Sequence, residues 1–202
     1  MTQIALPLDV RGTGAPVRIV TGEANRAALE RLADPEHWPF YAAVLVGPER
    51  SGKSLLARWF AENGAGDAID DADRGNETAL FHAWNRAQET RRPLLLAARP
   101  GWRIALPDLA SRLGGSLQLE IGSPDDAMVA GLLAAHAEQR RLSLGEGAIA
   151  YLAPRIERSF AEVEAVVAAI DRISLERQVP VTMSVWRDAL EAVQGPEQGS
   201  LL

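Results

Sequence analysis

The hydrophobic positions change their period twice along the chain. Between Thr21 and about Ala33, Ala24, Ala27, Leu29 and Leu32 recur at helical spacing until Asp34-Pro35 stops the run, which predicts a short helix. Tyr41-Ala42-Ala43-Val44-Leu45-Val46 is instead continuous and bounded by Pro39 and Gly47, the pattern of a strand buried on both faces. Leu55 to Ala61 reads as a helix, Ala68-Ile69 as a very short strand, Glu77 to Thr90 as a helix and Pro93 to Ala97 as a third strand. Strand and helix alternate, so this part of the chain predicts an α/β domain with a parallel sheet flanked by helices.

After Gly122 only helical periods remain. Ser123-Pro124-Asp125-Asp126 offers a capping serine and a first-turn proline ahead of Met128, Leu132, Leu133 and His136. Ser143 to Glu146 and Ser159 to Glu162 repeat the capping-box spacing. The second box opens a helix with Val163, Val166, Val167, Ile170 and Ile173 on one face, and a last helix starts near Ser184 with Trp186, Leu190 and Val193. Pro154 falls inside the helix expected from Glu146 and predicts a kink or break there. The expected organisation is an extended tail over 1–16, an α/β domain over 17–122, a small all-α domain over 123–194 and a frayed end over 195–202.

Composition narrows the class. With 47% apolar residues in 202, the chain can bury a sizeable core, and none of its apolar runs approaches the roughly 18–20 residues that span a bilayer. The start MTQIALPLDV has neither the basic nor the apolar stretch of a secretory signal and there is no cysteine, so a cytoplasmic protein without disulfides or thiolate metal sites is expected. A net charge of −6 argues against direct, sequence-independent binding of DNA. Of the 21 basic side chains, Lys53 is the lone lysine. A compact ammonium on a flexible stem is what an arginine fork cannot supply there.

Lys53 lies in Gly47-Pro48-Glu49-Arg50-Ser51-Gly52-Lys53-Ser54, which satisfies GxxxxGK[ST] between a predicted strand and a predicted helix. In such a P-loop, backbone N–H groups cradle phosphates, the lysine reaches the outer phosphates and the serine hydroxyl ligates Mg2+. ADP or ATP with Mg2+ is the expected cofactor. Asp70 and Asp71 end the short second strand, Asp70 placed to hold Mg2+ and Asp71 to polarise a water; Asp71-Ala72-Asp73 reads equally well as a solvated loop. Asp70 follows Lys53 by only 17 residues, so if it ends the adjoining strand the sheet is shortened by one edge unit.

Leu106-Pro107-Asp108-Leu109-Ala110-Ser111-Arg112-Leu113, taken with the P-loop, the Asp pair and the C-terminal helices, resembles the DnaA branch of the AAA+ ATPases, and within it the Hda proteins, the regulatory homologues of DnaA. The resemblance covers about residues 17–194 and implies a P-loop AAA+ core with a C-terminal helical lid. It also implies that Arg112 is a finger offered to a nucleotide held by another subunit, the alternative being an arginine in a surface salt bridge. Gln3-Ile4-Ala5-Leu6-Pro7-Leu8 resembles the peptide through which Hda proteins grip the DNA polymerase sliding clamp, with Gln3, Leu6, Pro7 and Leu8 as the contacts; a plain N-terminal arm is the alternative. The implied partners are DnaA and the clamp, with a homo-oligomer also open, and the implied outcome is hydrolysis of DnaA-bound ATP, which prevents re-initiation.

The chain also departs from that family. Ala97-Ala98 occupy the end of the third strand, where the family places a polar residue that senses the terminal phosphate. Ala161 stands where the lid carries a nucleotide-contacting arginine, with Arg158 three residues away as the substitute. Both departures speak against hydrolysis by this chain alone. A stand-alone P-loop ATPase and a DnaA-like adaptor that binds partners without stimulating hydrolysis are the competing readings. His37, His82 and His136 have no ligand spacing; Trp84 and Trp102 read as packing residues, and Arg91-Arg92 and Arg140-Arg141 as solvated faces or helix ends.

Overall fold

The computed structural model describes residues 19–195, which form two units, one of them Glu23–Gly122 and the other combining 19–22 with 123–195. The first unit is a four-stranded parallel sheet in the order β2-β3-β1-β4, built from β1 (Ala42–Val46), β2 (Asp67–Ile69), β3 (Leu94–Ala98) and β4 (Leu117–Glu120). Central strands buried on both faces must be apolar throughout. All five residues of β3 are buried, as are Ala42, Ala43, Val44 and Leu45 of β1. The two pair from Ala42 opposite Leu94 to Val46 opposite Ala98.

Four helices cover the sheet: α1 (Glu23–Leu32), α2 (Lys53–Glu62), α3 (Glu77–Thr90) and α4 (Pro107–Gly115). On one face Val44 and Leu96 pack with Leu80 and Trp84 of α3 and with Leu109 and Leu113 of α4. α2 packs against β2 and β3, and α1 against β4. Trp38 stacks on Phe60 of α2 at 5.1 Å between ring centroids.

The predicted elements of this unit all form, with ends moved by up to two residues. α4 and β4 were not anticipated. β4 reads Leu-Gln-Leu-Glu and only Leu119 is fully buried, the short pattern of an edge strand. α4 ends in Gly114-Gly115, each costing about 1 kcal/mol against alanine, while burying Leu109 and Leu113 contributes about 1.5–3 kcal/mol apiece. Packing outweighs propensity there. β2 follows α2 across the short turn 63–66, so β2 is the sheet's edge strand and the core is of the shortened kind.

The second unit contains α5 (Asp126–Gln139), α6 (Glu146–Leu152), α7 (Phe160–Arg177) and α8 (Met183–Gln194) around Leu133, Leu152, Val163, Val167 and Ile170. The five predicted apolar positions of α7 are all buried, and Ser159 caps it by accepting from the Glu162 N–H. The other two caps differ from expectation. Asp125, not Ser123, caps α5, its carboxylate accepting from Met128 N–H at 2.7 Å, and Met128, Val129, Leu133 and Ala137 form the buried face. Ser and Asp serve equally as caps, so the burial of Met128 and Val129 decides the register. Gly145 occupies the cap position of α6 without any side-chain hydrogen bond, and the Ser143 box does not form. α6 stops at Leu152 and a 3-10 turn over Ala153–Arg155 carries Pro154, the break its ring dictates. Among the described residues no helix is long and apolar enough to cross a membrane.

Candidate functional site

Every strand of a parallel sheet delivers its C-terminal end to the same edge, where ligands of such folds bind. Here β1 runs out into the loop 47–52, β2 into Asp70 and Asp71, and β3 into Arg99. Gly47 is buried against the end of β4: a Cβ on it would stand 2.9 Å from Ile121 Cβ and 3.1 Å from both Ile121 O and Ser51 Oγ. Arg50 and Gly52 adopt left-handed conformations, φ +61° and +89°, a backbone geometry that turns successive N–H groups toward an anion. Gly52 is the N-cap residue of α2, so Lys53 and Ser54 form its first turn, where the helix dipole favours negative charge.

Lys53 Nζ donates to the carbonyls of Gly47 at 2.8 Å and Pro48 at 2.7 Å, folding the ammonium back over the loop. Burial lowers its pKa from the usual lysine range, against the opposing charges of Asp70, Asp71, Asp73 and Glu49. The Ser51 hydroxyl is buried and makes no hydrogen bond among the described residues. An orphaned buried donor beside a glycine-lined turn and a partly buried ammonium is a site shaped for an anion.

The acidic strand end differs from its first reading in one respect. Asp70 and Asp71 are exposed, Asp71 at φ +47°, whereas Asp73 keeps only 5% of its side chain in contact with solvent. Its carboxylate accepts from Arg99 Nε at 2.6 Å and from the Arg99 backbone N–H at 3.2 Å. Burial by itself would raise the carboxyl, but those bonds and the guanidinium charge hold its pKa below the ordinary range. Asp73 is thus no part of a solvated loop. The pair was legible in principle, since the register of Ile69 with Leu96 brings the ends of β2 and β3 side by side and each end carries one member of an opposite-charge pair.

Arg112 lies on the last turn of α4 with its guanidinium carbon 4.6 Å from the centroids of both Phe81 and Trp84. Among the described residues it makes no ion pair and no side-chain hydrogen bond, so the surface salt bridge is not formed. Trp84 is a buried packing residue whose indole N–H donates to Ser116 Oγ at 3.0 Å. In the helical unit Ala161 is exposed on the first turn of α7, and Arg158 holds Asp126 with two bonds of 2.8 and 2.9 Å, which raise the pKa of its guanidinium. Gln3, Leu6, Pro7 and Leu8 lie outside the described residues. Among the described residues no group of three or more His, Asp or Glu is placed to hold a metal ion by itself.

No protein-family model matches the chain. Its structure is similar to domain III of the Thermotoga maritima replication initiation protein DnaA, with a TM-score of 0.72 at 15% identity over 88% of this chain and 95% of that one. It is also similar to AMPPCP-bound DnaA from Aquifex aeolicus, with a TM-score of 0.59 at 18% identity over 79% of this chain and 66% of that one. A third similar structure is the Thermotoga maritima RuvB Holliday junction branch migration motor, with a TM-score of 0.58 at 15% identity over 85% and 69%. The fold is therefore the AAA+ P-loop fold, a parallel sheet flanked by helices with C-terminal helices following it.

Proposed function

We propose that this chain is an Hda-type regulator of replication initiation: it binds an adenine nucleotide at residues 47–54, is tethered to the polymerase sliding clamp through Gln3, Leu6, Pro7 and Leu8, and presents Arg112 to ATP bound by DnaA. The observation that carries the nucleotide part is the loop itself. Gly47 is wedged against Ile121, Gly52 is left-handed at the mouth of α2, and the lone lysine bonds back to the carbonyls of Gly47 and Pro48, on a fold shared with a DnaA structure that holds AMPPCP. Mg2+ keeps most of its waters and is completed by phosphate oxygens, so Ser54 and Asp70 are a sufficient protein share. Such an ion supplies charge neutralisation between phosphates.

Within that reading, Lys53 releases the Gly47 and Pro48 carbonyls to meet phosphate oxygens, and the charge of Asp71, just past the end of β2, favours its ammonium. Ala97 and Ala98 are buried and apolar and can orient no water, which supports a chain that turns over its own nucleotide poorly. Arg112 suits a task in trans. Its guanidinium lies over two aromatic rings while its N–H donors stay unengaged among the described residues, so the fork is available to an external acceptor. A finger supplied in trans accelerates hydrolysis by about three to five orders of magnitude. The deciding experiment mixes this protein, DNA-loaded clamp and radiolabelled ATP-DnaA. Conversion to ADP-DnaA that depends on Arg112 supports the reading; conversion unchanged by Arg112→Ala rejects Arg112 as the finger, and no conversion beyond that of DnaA alone rejects the reading in favour of an adaptor.

A further inference from the structure

The turn that leads into β1 presents an aromatic ring to solvent at a cost in backbone geometry. Phe40 and Tyr41 are both left-handed, with φ +53° and +48°. The chain thereby turns Trp38 inward, 4% exposed and stacked on Phe60, and leaves Phe40 53% exposed. A bulky side chain in a left-handed conformation is strained, and a ring left in water forgoes much of what burial would contribute. Asparagine at this position would lessen both costs. The turn is nevertheless firmly held: the Gln88 side-chain amide donates to the Phe40 carbonyl, and the Tyr41 N–H donates to Trp38 O at 3.1 Å.

The ring lies close to Arg112. Its centroid is 5.8 Å from that of Trp84, and the Arg112 guanidinium carbon is 4.6 Å from the centroid of the same indole. Phe40 also packs over Gly115, where a Cβ would come within 3.2 Å of the ring carbon Cε2, so Gly115 leaves room for it. Gly114 has no such neighbour. It is exposed, its φ is outside the left-handed range, and a Cβ there would meet nothing within 4 Å among the described residues. Glycine inside a helix is destabilising relative to alanine, and one that its own chain does not require leaves the backbone open to close approach from outside. An exposed ring, a bare stretch of helix and a guanidinium without an ion-pair or hydrogen-bond partner among the described residues thus adjoin one another.

The cation selects the occupant. A guanidinium with all its donors unengaged calls for an anion, and in protein interfaces aromatic and arginine side chains are the groups that carry most of the binding energy. We propose that Phe40 anchors this chain to the ATP-bearing partner of Arg112, burying its ring against that partner while Gly114 lets the partner's backbone come close. This rests on the role in trans given to Arg112 above and adds to it the residue on which affinity depends. Arg112 governs the rate, and Phe40 governs the concentration at which the partner is held.

The test follows hydrolysis of radiolabelled ATP-DnaA as its concentration is raised over a fixed amount of the full chain on DNA-loaded clamp. Phe40→Asn should raise the half-saturating concentration about tenfold and leave the saturated rate within about twofold of wild type. Because asparagine tolerates the left-handed backbone, its melting temperature should fall by no more than about 2 °C. Gly114→Ala provides a second arm that improves the helix: its melting temperature should rise by about 2–4 °C while the half-saturating concentration rises about threefold. Unchanged half-saturation in both variants overturns the proposal, and if self-association is lost instead, the ring serves a second copy of this chain. A saturated rate that falls as far as the affinity also overturns it, since the ring would then act by holding Arg112 through Trp84. A wild type that stimulates no hydrolysis overturns the role of Arg112 itself, which separates the two failures.

Discussion

Arg112 and Trp84 are joined twice. The guanidinium carbon lies 4.6 Å from the indole centroid, and the buried Ser116 hydroxyl accepts from the indole N–H and donates to the Arg112 carbonyl, both at 3.0 Å. One hydroxyl therefore fixes the ring on which the cation rests and the backbone from which the cation springs.

That arrangement sets the expected behaviour of Arg112 variants. Two cation–π contacts at a half-exposed site are worth about 0.5–1 kcal/mol each, so Arg112→Ala should lower stability by about 1–2 kcal/mol without unfolding the protein. Stimulation of the partner's hydrolysis should vanish. Arg112→Lys should recover little of it, because an ammonium neither stacks flat nor spans two phosphoryl oxygens. Thermal melts and the DnaA assay, run in parallel, check both halves.

Lys53→Ala should weaken adenine nucleotide binding by about tenfold or more while the fold survives. Among the described residues the ammonium bonds only to the carbonyls of its own loop, so its removal takes little packing with it. Calorimetry with ADP and AMPPCP decides, and equal affinity of variant and wild type would refute the phosphate cradle.

The signals that worked and those that failed have distinct physical origins. β1, α3 and the loop 47–54 were readable because burial on both faces demands a continuous apolar run, and because a phosphate turn demands glycine at Gly47 and Gly52. α4 and β4 escaped because their identity comes from tertiary packing: Leu109 and Leu113 lock onto the sheet while Gly114-Gly115 and the four-residue β4 carry no local signal. The Asp73–Arg99 pair escaped for a third reason. Its members are 26 residues apart, and only the β2–β3 register brings them together.

Asp73 makes the acid limb of stability informative. Its folded pKa lies below the ordinary 3.8, so its contribution is fully present above that value and is lost as pH falls through the folded pKa. Arg99→Ala removes the Nε bond and the guanidinium charge that lower the carboxyl, and leaves the backbone N–H bonds that lower it and the burial that raises it. The variant's carboxyl is therefore held down less and protonates at a higher pH than that of the wild type. The urea midpoints of wild type and variant should be well separated at neutral pH and converge below pH 3.8. A separation that is constant with pH would show that Asp73 is not the group concerned.

Removing residues 1–10, or changing Gln3, Leu6 and Leu8 together to alanine, should abolish binding to the sliding clamp and leave the melting temperature unchanged. Surface plasmon resonance against immobilised clamp is the measurement. Undiminished binding would dismiss the peptide reading and leave a plain N-terminal arm.

The two loop glycines should fail differently when given a side chain. At Gly52 a Cβ would meet nothing within 4 Å, and the obstacle is φ +89° alone. Gly52→Ala therefore costs about 1–2 kcal/mol of backbone strain at the mouth of α2. At Gly47 the backbone asks for nothing unusual, but the new methyl would lie 2.9 Å from Ile121 Cβ and 3.1 Å from its carbonyl. Ile121 is 1% exposed and its N–H is bonded to Val46 O at 2.8 Å, so it cannot withdraw. The loop must move instead, carrying with it the carbonyl that holds Lys53. Gly47→Ala should thus lose nucleotide affinity out of proportion to stability, whereas in Gly52→Ala the two should fall together; melting curves and ADP titrations on both variants distinguish these outcomes. If Gly47→Ala binds ADP as wild type does, the contact with Ile121 does not shape the phosphate loop.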